Sequence, residues 1–266
     1  MSTLRNEVSN AALLARAAFD YHNQGWCEFR QPFPADQLAE VKQRIEEFSR
    51  TRRPEVVYED GSDVARAVHG CHRYDEACDA LVRSRILVDL AETLIGSRVY
   101  VYQFKANIKA AREGREWPWH QDFAFWYHED GMPSPDALTI AINLDEVHEN
   151  NGPLRVLDGT HRLGVLESVS KQENRASNWK DDVSSKLSHA VPPELMGGLL
   201  ADNKMSQFTG QPGAITAFHP CIVHSSSNNH SNDRRSILFV TYNSVNNVST
   251  SSKRPAFLVD PDTTPV

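Results

Sequence analysis

The clearest strand in this sequence is Arg235-Ser236-Ile237-Leu238-Phe239-Val240-Thr241-Tyr242. Ile237, Phe239 and Thr241 alternate with Leu238, Val240 and Tyr242, so that each set faces one side of a sheet. Most of these residues are β-branched or aromatic, as is typical of strands. The pattern therefore predicts a strand over residues 235–242.

Further β-prone stretches lie upstream of this strand and are bounded by turn residues such as Gly152-Pro153 and Pro212-Gly213. They cover residues 99–104, 117–125, 137–144, 154–157 and 214–218. Several short strands separated by turns indicate a β-sandwich or a barrel. Residues 165–211 show no convincing period, and we interpret them as a lid or substrate loop with helical pieces.

The first part of the chain, residues 1–97, has mostly helical patterns. Apolar residues follow helical spacing over 13–21, along a second helix that starts at Pro34, and over 80–95 before Gly96. Only residues 26–29 suggest a strand there. The sequence shows no linker or repeat, so we expect one domain over 1–266, in which 1–97 supports a β-rich core over 98–245.

Composition excludes several classes of protein. The chain has 266 residues, 40% of them hydrophobic, and a formal net charge of −7. A mildly acidic chain lacks the electrostatic footprint of a nucleic-acid or membrane-surface binder, and no apolar stretch is long enough to span a membrane. None of the four cysteines forms a CxxC motif, so we expect free thiols in a cytoplasmic protein.

Two His-x-Asp motifs are candidate metal sites, His120-Gln121-Asp122 and His128-Glu129-Asp130. On a strand, residues i and i+2 point to the same face, so one strand could direct an imidazole and a carboxylate at one metal ion. The first motif lies in an aromatic, strand-like stretch, whereas the second runs into the turn at Gly131. We therefore favour His120 and Asp122 as ligands and interpret His128 and Asp130 as surface or loop residues.

A third ligand would complete the two-histidine, one-carboxylate triad of non-haem Fe(II) oxygenases. His219, His224 and His230 all lie between the last two predicted strands. His224 is favoured because it lies far enough from His120 to return from the opposite side of a barrel. Arg235, at the start of the next strand, can bind both oxygens of a carboxylate and stays charged.

Three stretches of this sequence together resemble the phytanoyl-CoA dioxygenase (PhyH) family of Fe(II)/2-oxoglutarate oxygenases, and most of all its ectoine hydroxylase-like members. They are His120 to Pro133, Asn151 to Arg162, and His224 through Arg235 to Asn243, with a weaker likeness through Gln103, Asn107 and Lys109. The resemblance covers most of residues 98–245. It implies a mainly β fold with flanking helices around a double-stranded β-helix, the jelly-roll or cupin-like core.

The resemblance also implies cofactors and roles for individual residues. Fe(II), 2-oxoglutarate and O2 would be required, and 2-oxoglutarate would be converted to succinate and CO2. The iron ligands would be His120, Asp122 and His224. Arg235, Gln103, Asn107 and Ser226 would bind 2-oxoglutarate, and Trp126, Phe239 and Lys105 would contact the substrate.

Two positions refine this expectation. Lys105 stands where ectoine hydroxylase has a substrate-contacting arginine, and an ammonium group cannot reproduce the planar, bidentate grip of a guanidinium. This difference argues against ectoine itself. Asp122 is the carboxylate ligand that related halogenases lack, so its presence favours hydroxylation.

The expected activity is hydroxylation of an unactivated C–H bond in a small molecule, an amino acid or similar zwitterion. One alternative is the same chemistry on a larger natural-product intermediate, with hydroxylation, desaturation or ring formation as the outcome. A non-catalytic metal-binding barrel and a zinc hydrolase with the same triad are further alternatives. We expect no nucleic-acid or membrane partner, and the sequence leaves the oligomeric state open.

Overall fold

The computed structural model of this chain describes residues 2–166, 179, 183, 187–251 and 254–266, with side chains from residue 10 onward. Its helices are α1 (Ser2–Gln24), α2 (Ala35–Ser49), α3 (Glu76–Val82), α4 (Arg85–Ile95), α5 (Asp122–Asp130) and α6 (Pro193–Asp202). Its strands are β1 (Trp26–Phe29), β2 (Val56–Tyr58), β3 (Ala65–His69), β4 (Val99–Lys109), β5 (Trp117–His120), β6 (Ala137–Asn143), β7 (Leu154–Leu157), β8 (Met205–Phe208), β9 (Ile215–Phe218), β10 (His224–Ser226) and β11 (Arg235–Ser244).

Two antiparallel sheets form the core. The larger has seven strands in the order β1-β9-β6-β11-β4-β3-β2, and the smaller has four in the order β5-β10-β7-β8. Strand β11 lies at the centre of the larger sheet, paired with β4 on one side and β6 on the other. Two facing sheets with flanking helices confirm the predicted mainly β, jelly-roll architecture.

The alternation along β11 separates two layers of the core. Leu238, Val240 and Tyr242 belong to the cluster shared with helices α2, α3 and α4. Ile237 and Phe239 belong to the cluster between the two sheets, together with residues of the smaller sheet such as Leu154 and Val156. Because successive side chains point to opposite faces, the same strand anchors the helical layer and lines the space between the sheets.

The helices of the first part follow the sequence pattern in α2 and at the end of α4. In α2, Leu38, Val41 and Ile45 are buried along one face, and Pro34 precedes its first residue. In α4, the helix ends at Gly96, whose φ of 79° is readily adopted by glycine. The continuous helix predicted over 80–95 was wrong, because Ser84 has an extended backbone and separates α3 from α4.

Residues 1–97 contribute more to the sheet than predicted. Besides the expected β1, the strands β2 and β3 extend the larger sheet beyond β4. Both are short, with three and five residues; β2 pairs with the adjacent β3, and β3 pairs with β4, so that pairing rather than a clear local period sets their register.

The segment predicted as a lid over 165–211 is described only in part. Residues 167–178, 180–182 and 184–186 lie outside the described residues. The remainder contains α6 and β8, and β8 pairs with β7 in the smaller sheet.

All four cysteines are buried and unbridged, as expected. In the part of the chain that the structure describes, no helix has both the length and the apolar character needed to cross a membrane.

Candidate active site

Two histidines lie opposite each other on neighbouring strands of the smaller sheet. Strand β10 pairs antiparallel with β5, and His224 lies directly opposite His120. Residues directly opposite in a sheet place their side chains on the same face. The two imidazole rings accordingly lie with their centroids 4.0 Å apart.

Asp122 joins the histidines from a helix, not from a strand. The strand predicted over 117–125 was wrong, because β5 ends at His120 and α5 begins at Asp122 after the extended Gln121. The later aromatic residues of that stretch, from Phe123 to Tyr127, instead form a helix that is followed by Gly131, with a φ of 63°. Only Gln121 separates the strand from the helix, and the carboxylate at the start of the helix therefore lies beside the imidazoles.

The three side chains form a compact ligand set. Asp122 Oδ1 lies 3.7 Å from His120 Nε2 and 3.8 Å from His224 Nε2. All three residues are buried, and their ligand atoms lie within 4.8 Å of one another. Among the described residues this is the one group of three histidine, cysteine or acidic side chains so arranged. Two imidazoles and a carboxylate suit a divalent transition metal such as iron.

Backbone carbonyls orient both imidazoles. His120 Nδ1 lies 2.6 Å from the Pro118 carbonyl oxygen, and His224 Nδ1 lies 3.1 Å from that of Ile222. A carbonyl oxygen can only accept a hydrogen bond, so each Nδ1 carries the hydrogen and donates it, and each Nε2 presents its lone pair. The Nε2 atoms are the ones that approach Asp122, as a metal site requires.

Burial and neighbouring charges together favour the protonation states that bind a metal ion. It lowers the pKa of His120 to about 3, with a further contribution from His224, and it lowers the pKa of His224 as well. Burial would raise the pKa of Asp122, but Lys105 and the two histidines outweigh it and hold that pKa below its usual value. The site therefore holds neutral imidazoles and an ionised carboxylate at neutral pH.

Arg235 is a buried cation in the same region. Its guanidinium donates to the carbonyl oxygen of Gly152, its Nε has no hydrogen-bond partner, and it forms no ion pair with the described carboxylates. Burial lowers the pKa of Arg235 to about 9, which still leaves it charged at neutral pH. Because a buried, unpaired charge is costly, this residue is suited to binding an anionic ligand.

The carbonyl oxygen of Gly152 accepts the hydrogen bond from Arg235, and there is no space for a side chain at Gly152. Its φ is 81°, and a Cβ there would lie 2.6 Å from the Ser227 carbonyl oxygen and 2.7 Å from Lys109 Cδ. We expect Gly152→Ala to lower the free energy of unfolding by roughly 1–3 kcal/mol, measured by urea denaturation, because strain and overlap add.

Gly159 provides the matched control for Gly152. It has the same φ of 81°, but nothing lies within 4 Å of its would-be Cβ. Gly159→Ala should therefore cost only the backbone strain, about 1 kcal/mol. Equal losses in the two variants would contradict a steric role for the close approach at Gly152.

Two neighbouring cavities meet at the triad, and both are lined by Lys105, Trp117, His120 and Asp122. We call the first the Arg235 cavity; its other lining residues are Asn107, Leu154, Phe218, His224, Ser225, Ser226, Arg235 and Phe239. We call the second the Trp126 cavity; its other lining residues are His69, Gln103, Phe125, Trp126, Val183, Leu187, Arg254 and Leu258.

The two cavities group the predicted cosubstrate and substrate residues differently from the prediction. Asn107, Ser226 and Arg235 line one cavity as expected for a shared ligand, and Asn107 Oδ1 is buried without a hydrogen-bond partner. Gln103, predicted beside them, lies instead in the Trp126 cavity. Phe239, predicted to contact the substrate, lies in the Arg235 cavity, with Lys105 Nζ 5.4 Å from its ring centroid.

Strand β4 explains why these polar side chains converge. Gln103, Lys105 and Asn107 alternate along it with Phe104 and Ala106, which are buried in the helix-facing core. The polar residues therefore point between the two sheets, towards the triad. Lys105 Nζ lies 3.8 Å from Asp122 Oδ1.

Sequence reasoning missed several residues around the triad. Asp130, interpreted as a surface or loop residue, is fully buried at the end of α5. It accepts hydrogen bonds from Arg254, with Nε at 2.8 Å from Oδ1, and from the Tyr102 hydroxyl. Its partners lie far away in the chain, so no local pattern could have indicated its burial. His69 and Arg254 in the Trp126 cavity were missed for the same reason.

Comparison with known proteins places these features in a family. Residues 21–237 match the phytanoyl-CoA dioxygenase (PhyH) family. An L-proline trans-4-hydroxylase from Streptomyces griseoviridis is 49% identical over 260 residues, which cover 97% of this chain and 97% of that protein. An ectoine dioxygenase from Bordetella bronchiseptica is 33% identical over 241 residues, which cover 89% of this chain and 77% of that protein.

A solved structure of EctD from S. alaskensis with 2-oxoglutarate and 5-hydroxyectoine is similar to this chain, with a TM-score of 0.79. The two are 26% identical, and the similarity covers 95% of this chain and 85% of that one. A structure of the same protein with bound Fe has a TM-score of 0.78 to this chain.

Proposed function

Because this chain belongs to the phytanoyl-CoA dioxygenase (PhyH) family, we propose that it hydroxylates free L-proline or a close cyclic analogue. It is an Fe(II)/2-oxoglutarate-dependent dioxygenase that acts on a small, amino-acid-like substrate. Its cofactors are Fe(II), 2-oxoglutarate and O2. The 49% identical proline hydroxylase supports C4 of proline, on the trans face, as the position of attack.

One observation carries the proposed site: a buried triad and a buried, unpaired arginine line the same cavity. A dicarboxylate such as 2-oxoglutarate has one end for a metal ion and one for a guanidinium. The residues therefore fit both the metal and the cosubstrate, since the triad would hold the metal that binds one end and Arg235, whose Nε has no hydrogen-bond partner, would bind the other. When bound, iron and 2-oxoglutarate activate O2 for insertion into a C–H bond, while 2-oxoglutarate becomes succinate and CO2.

The chain's own residues bind and orient the cofactors. His120, Asp122 and His224 would hold the iron, and Arg235 would bind the distal carboxylate of 2-oxoglutarate. Asn107 and Ser226 support this assignment because they line the same cavity. Phe239 lies there too, and we propose that it excludes water from the cosubstrate rather than contacting the substrate.

The Trp126 cavity is the proposed substrate site. His120 and Asp122 of the triad line it and Arg235 does not, so a substrate there would present a C–H bond to the metal. Trp126 and Phe125 offer apolar rings to an aliphatic ring, and Lys105 offers a cation to the substrate carboxylate. Gln103 belongs to this cavity, and we propose a substrate contact for it in place of the cosubstrate role.

We also propose that the whole chain acts as one dioxygenase domain. Strands β1, β2 and β3, from the first 97 residues, are part of the seven-stranded sheet that carries Arg235. Val183 and Leu187, from the segment predicted as a lid or substrate loop, line the Trp126 cavity. Both observations support a single catalytic unit to which the early and late parts of the chain contribute.

Turnover with candidate amino acids tests the proposed function. The enzyme with Fe(II), 2-oxoglutarate and O2 is incubated with L-proline, L-pipecolate or ectoine, and succinate and hydroxylated product are quantified by NMR and mass spectrometry. We expect one hydroxyproline per succinate. Hydroxylation of ectoine without turnover of L-proline would contradict the proposed substrate.

A lysine variant tests the proposed carboxylate contact. Removing a charge-assisted hydrogen bond in Lys105→Met should raise the KM for L-proline roughly 10- to 100-fold. The control is Lys204→Met, since the Lys204 side chain is 79% exposed and pairs only loosely with Asp158. An unchanged KM in Lys105→Met would show that the carboxylate is bound elsewhere.

A further inference from the structure

His69 places a polar side chain in the Trp126 cavity through strand pairing. It is the last residue of β3 and lies opposite Lys105 of β4. Opposite residues share a face, so His69 and Lys105 both point between the sheets. His69 is 4% exposed and lines the cavity together with His120 and Asp122.

The imidazole of His69 is incompletely satisfied. Its Nε2 is buried and has no hydrogen-bond partner among the described residues. Native proteins rarely leave a buried polar atom unpaired, because its lost hydration is then not replaced. An unpaired atom that faces a cavity beside the triad is accounted for when a ligand supplies the partner.

His69 is also neutral. Burial, together with the nearby cations Lys105 and Arg254, lowers the pKa of His69 to about 3. Arg254 in turn pairs with the buried Asp130, which holds it in place. A neutral imidazole beside two cations offers a lone pair instead of a third positive charge.

A zwitterionic substrate needs such an acceptor. The cations of this cavity suit its carboxylate but repel its charged nitrogen. Outside the triad, the only described lining side chains with an acceptor atom are His69 and Gln103. They lie on adjacent strands, β3 and β4, at diagonal positions across the pair.

We propose that His69 accepts a hydrogen bond from the charged nitrogen of the amino-acid substrate, with Gln103 beside it, and so selects a zwitterion over a simple carboxylate. This inference rests on the proposed function and assigns the nitrogen subsite of the same cavity. The carboxylate end then lies towards Lys105.

The test compares the binding of L-proline and of a substrate analogue to the wild type and to His69 variants. The ligands are L-proline and (S)-tetrahydrofuran-2-carboxylate, in which an oxygen replaces the ring nitrogen. Their dissociation constants are measured by calorimetry, without oxygen, on enzyme loaded with Fe(II) and 2-oxoglutarate. The visible charge-transfer band of the loaded enzyme reports separately that the metal site is intact.

We expect the wild type to bind L-proline at least about 10-fold more tightly than the oxygen analogue. In His69→Phe, the dissociation constant for L-proline should rise roughly 10-fold or more, while that for the analogue changes less than about threefold. The smaller His69→Leu gives the same readout if the larger ring disturbs folding. His22→Phe, at an exposed histidine of α1, should change neither constant.

Two results would overturn the inference, and they differ in what else they overturn. If His69→Phe and His69→Leu weaken both ligands equally, His69 serves only packing, and the proposed substrate stands. If the wild type shows a normal charge-transfer band but binds neither L-proline, L-pipecolate nor the oxygen analogue, then the proposed substrate falls together with the nitrogen subsite.

Discussion

Asp122→Ala is expected to reduce hydroxylation by at least about 1000-fold, because it removes the only anionic ligand of the triad. Two neutral imidazoles would remain to hold a doubly charged ion in a buried site, where an uncompensated charge is costly. The same variant should bind Fe(II) more weakly, which isothermal titration measures independently of turnover.

The matched control for this variant is Asp63→Ala. Asp63 is a surface carboxylate, with a side chain that is 81% exposed and paired with Arg52. Surface ion pairs contribute little, so product formation and iron affinity should stay at wild-type levels. Full activity in Asp122→Ala would show that the carboxylate is not a metal ligand and would refute the triad.

Arg235→Leu is expected to raise the KM for 2-oxoglutarate by roughly 100-fold or more, since a buried, bidentate pair with the distal carboxylate would be lost. The leucine leaves the carboxylate of the cosubstrate buried without a partner, which adds to the penalty. The charge-transfer band of the iron complex should then require correspondingly more 2-oxoglutarate to reach half of its maximum.

Two further arginine variants test whether the shape of the guanidinium and its position in the chain matter. Arg235→Lys keeps a charge but not the planar fork, so its KM should lie between those of the wild type and Arg235→Leu. Arg234→Leu alters the neighbouring residue, whose guanidinium pairs with Glu46 and Asp145 and is 36% exposed. If Arg234→Leu raised the KM as much as Arg235→Leu, the specific role of Arg235 would be refuted.

Much of the core was predictable because its signals are local. Strands β4, β6, β9 and β11 carry apolar or alternating side chains over several residues, and the turns between them contain glycine or proline. The resemblance to the PhyH family was confirmed, and it indicated His120, Asp122, His224 and Arg235 as site residues. The structure places all four around one cavity, although their ligand roles remain predictions.

Local signals failed where packing competes with propensity. The aromatic residues of α5 are common in strands, yet they form a helix whose Phe123, Phe125 and Trp126 pack against Tyr102 and its neighbours. The carboxylate of Asp122 consequently reaches the histidines from the first turn of a helix. The alternation argument therefore selected two residues that do lie side by side, but it placed both on one strand, whereas Asp122 belongs to a helix.

By itself, the sequence determined the β-rich class of the fold, the positions of its longer core strands and the types of residue available for chemistry, since these depend on neighbours along the chain. Only the tertiary structure decided which distant residues meet. His69 lies opposite Lys105, Arg254 pairs with Asp130, and Gln103 falls in the Trp126 cavity. These contacts join strands and segments far apart in sequence, and their register is set by long-range pairing and burial, which leave no period in the sequence of any one segment.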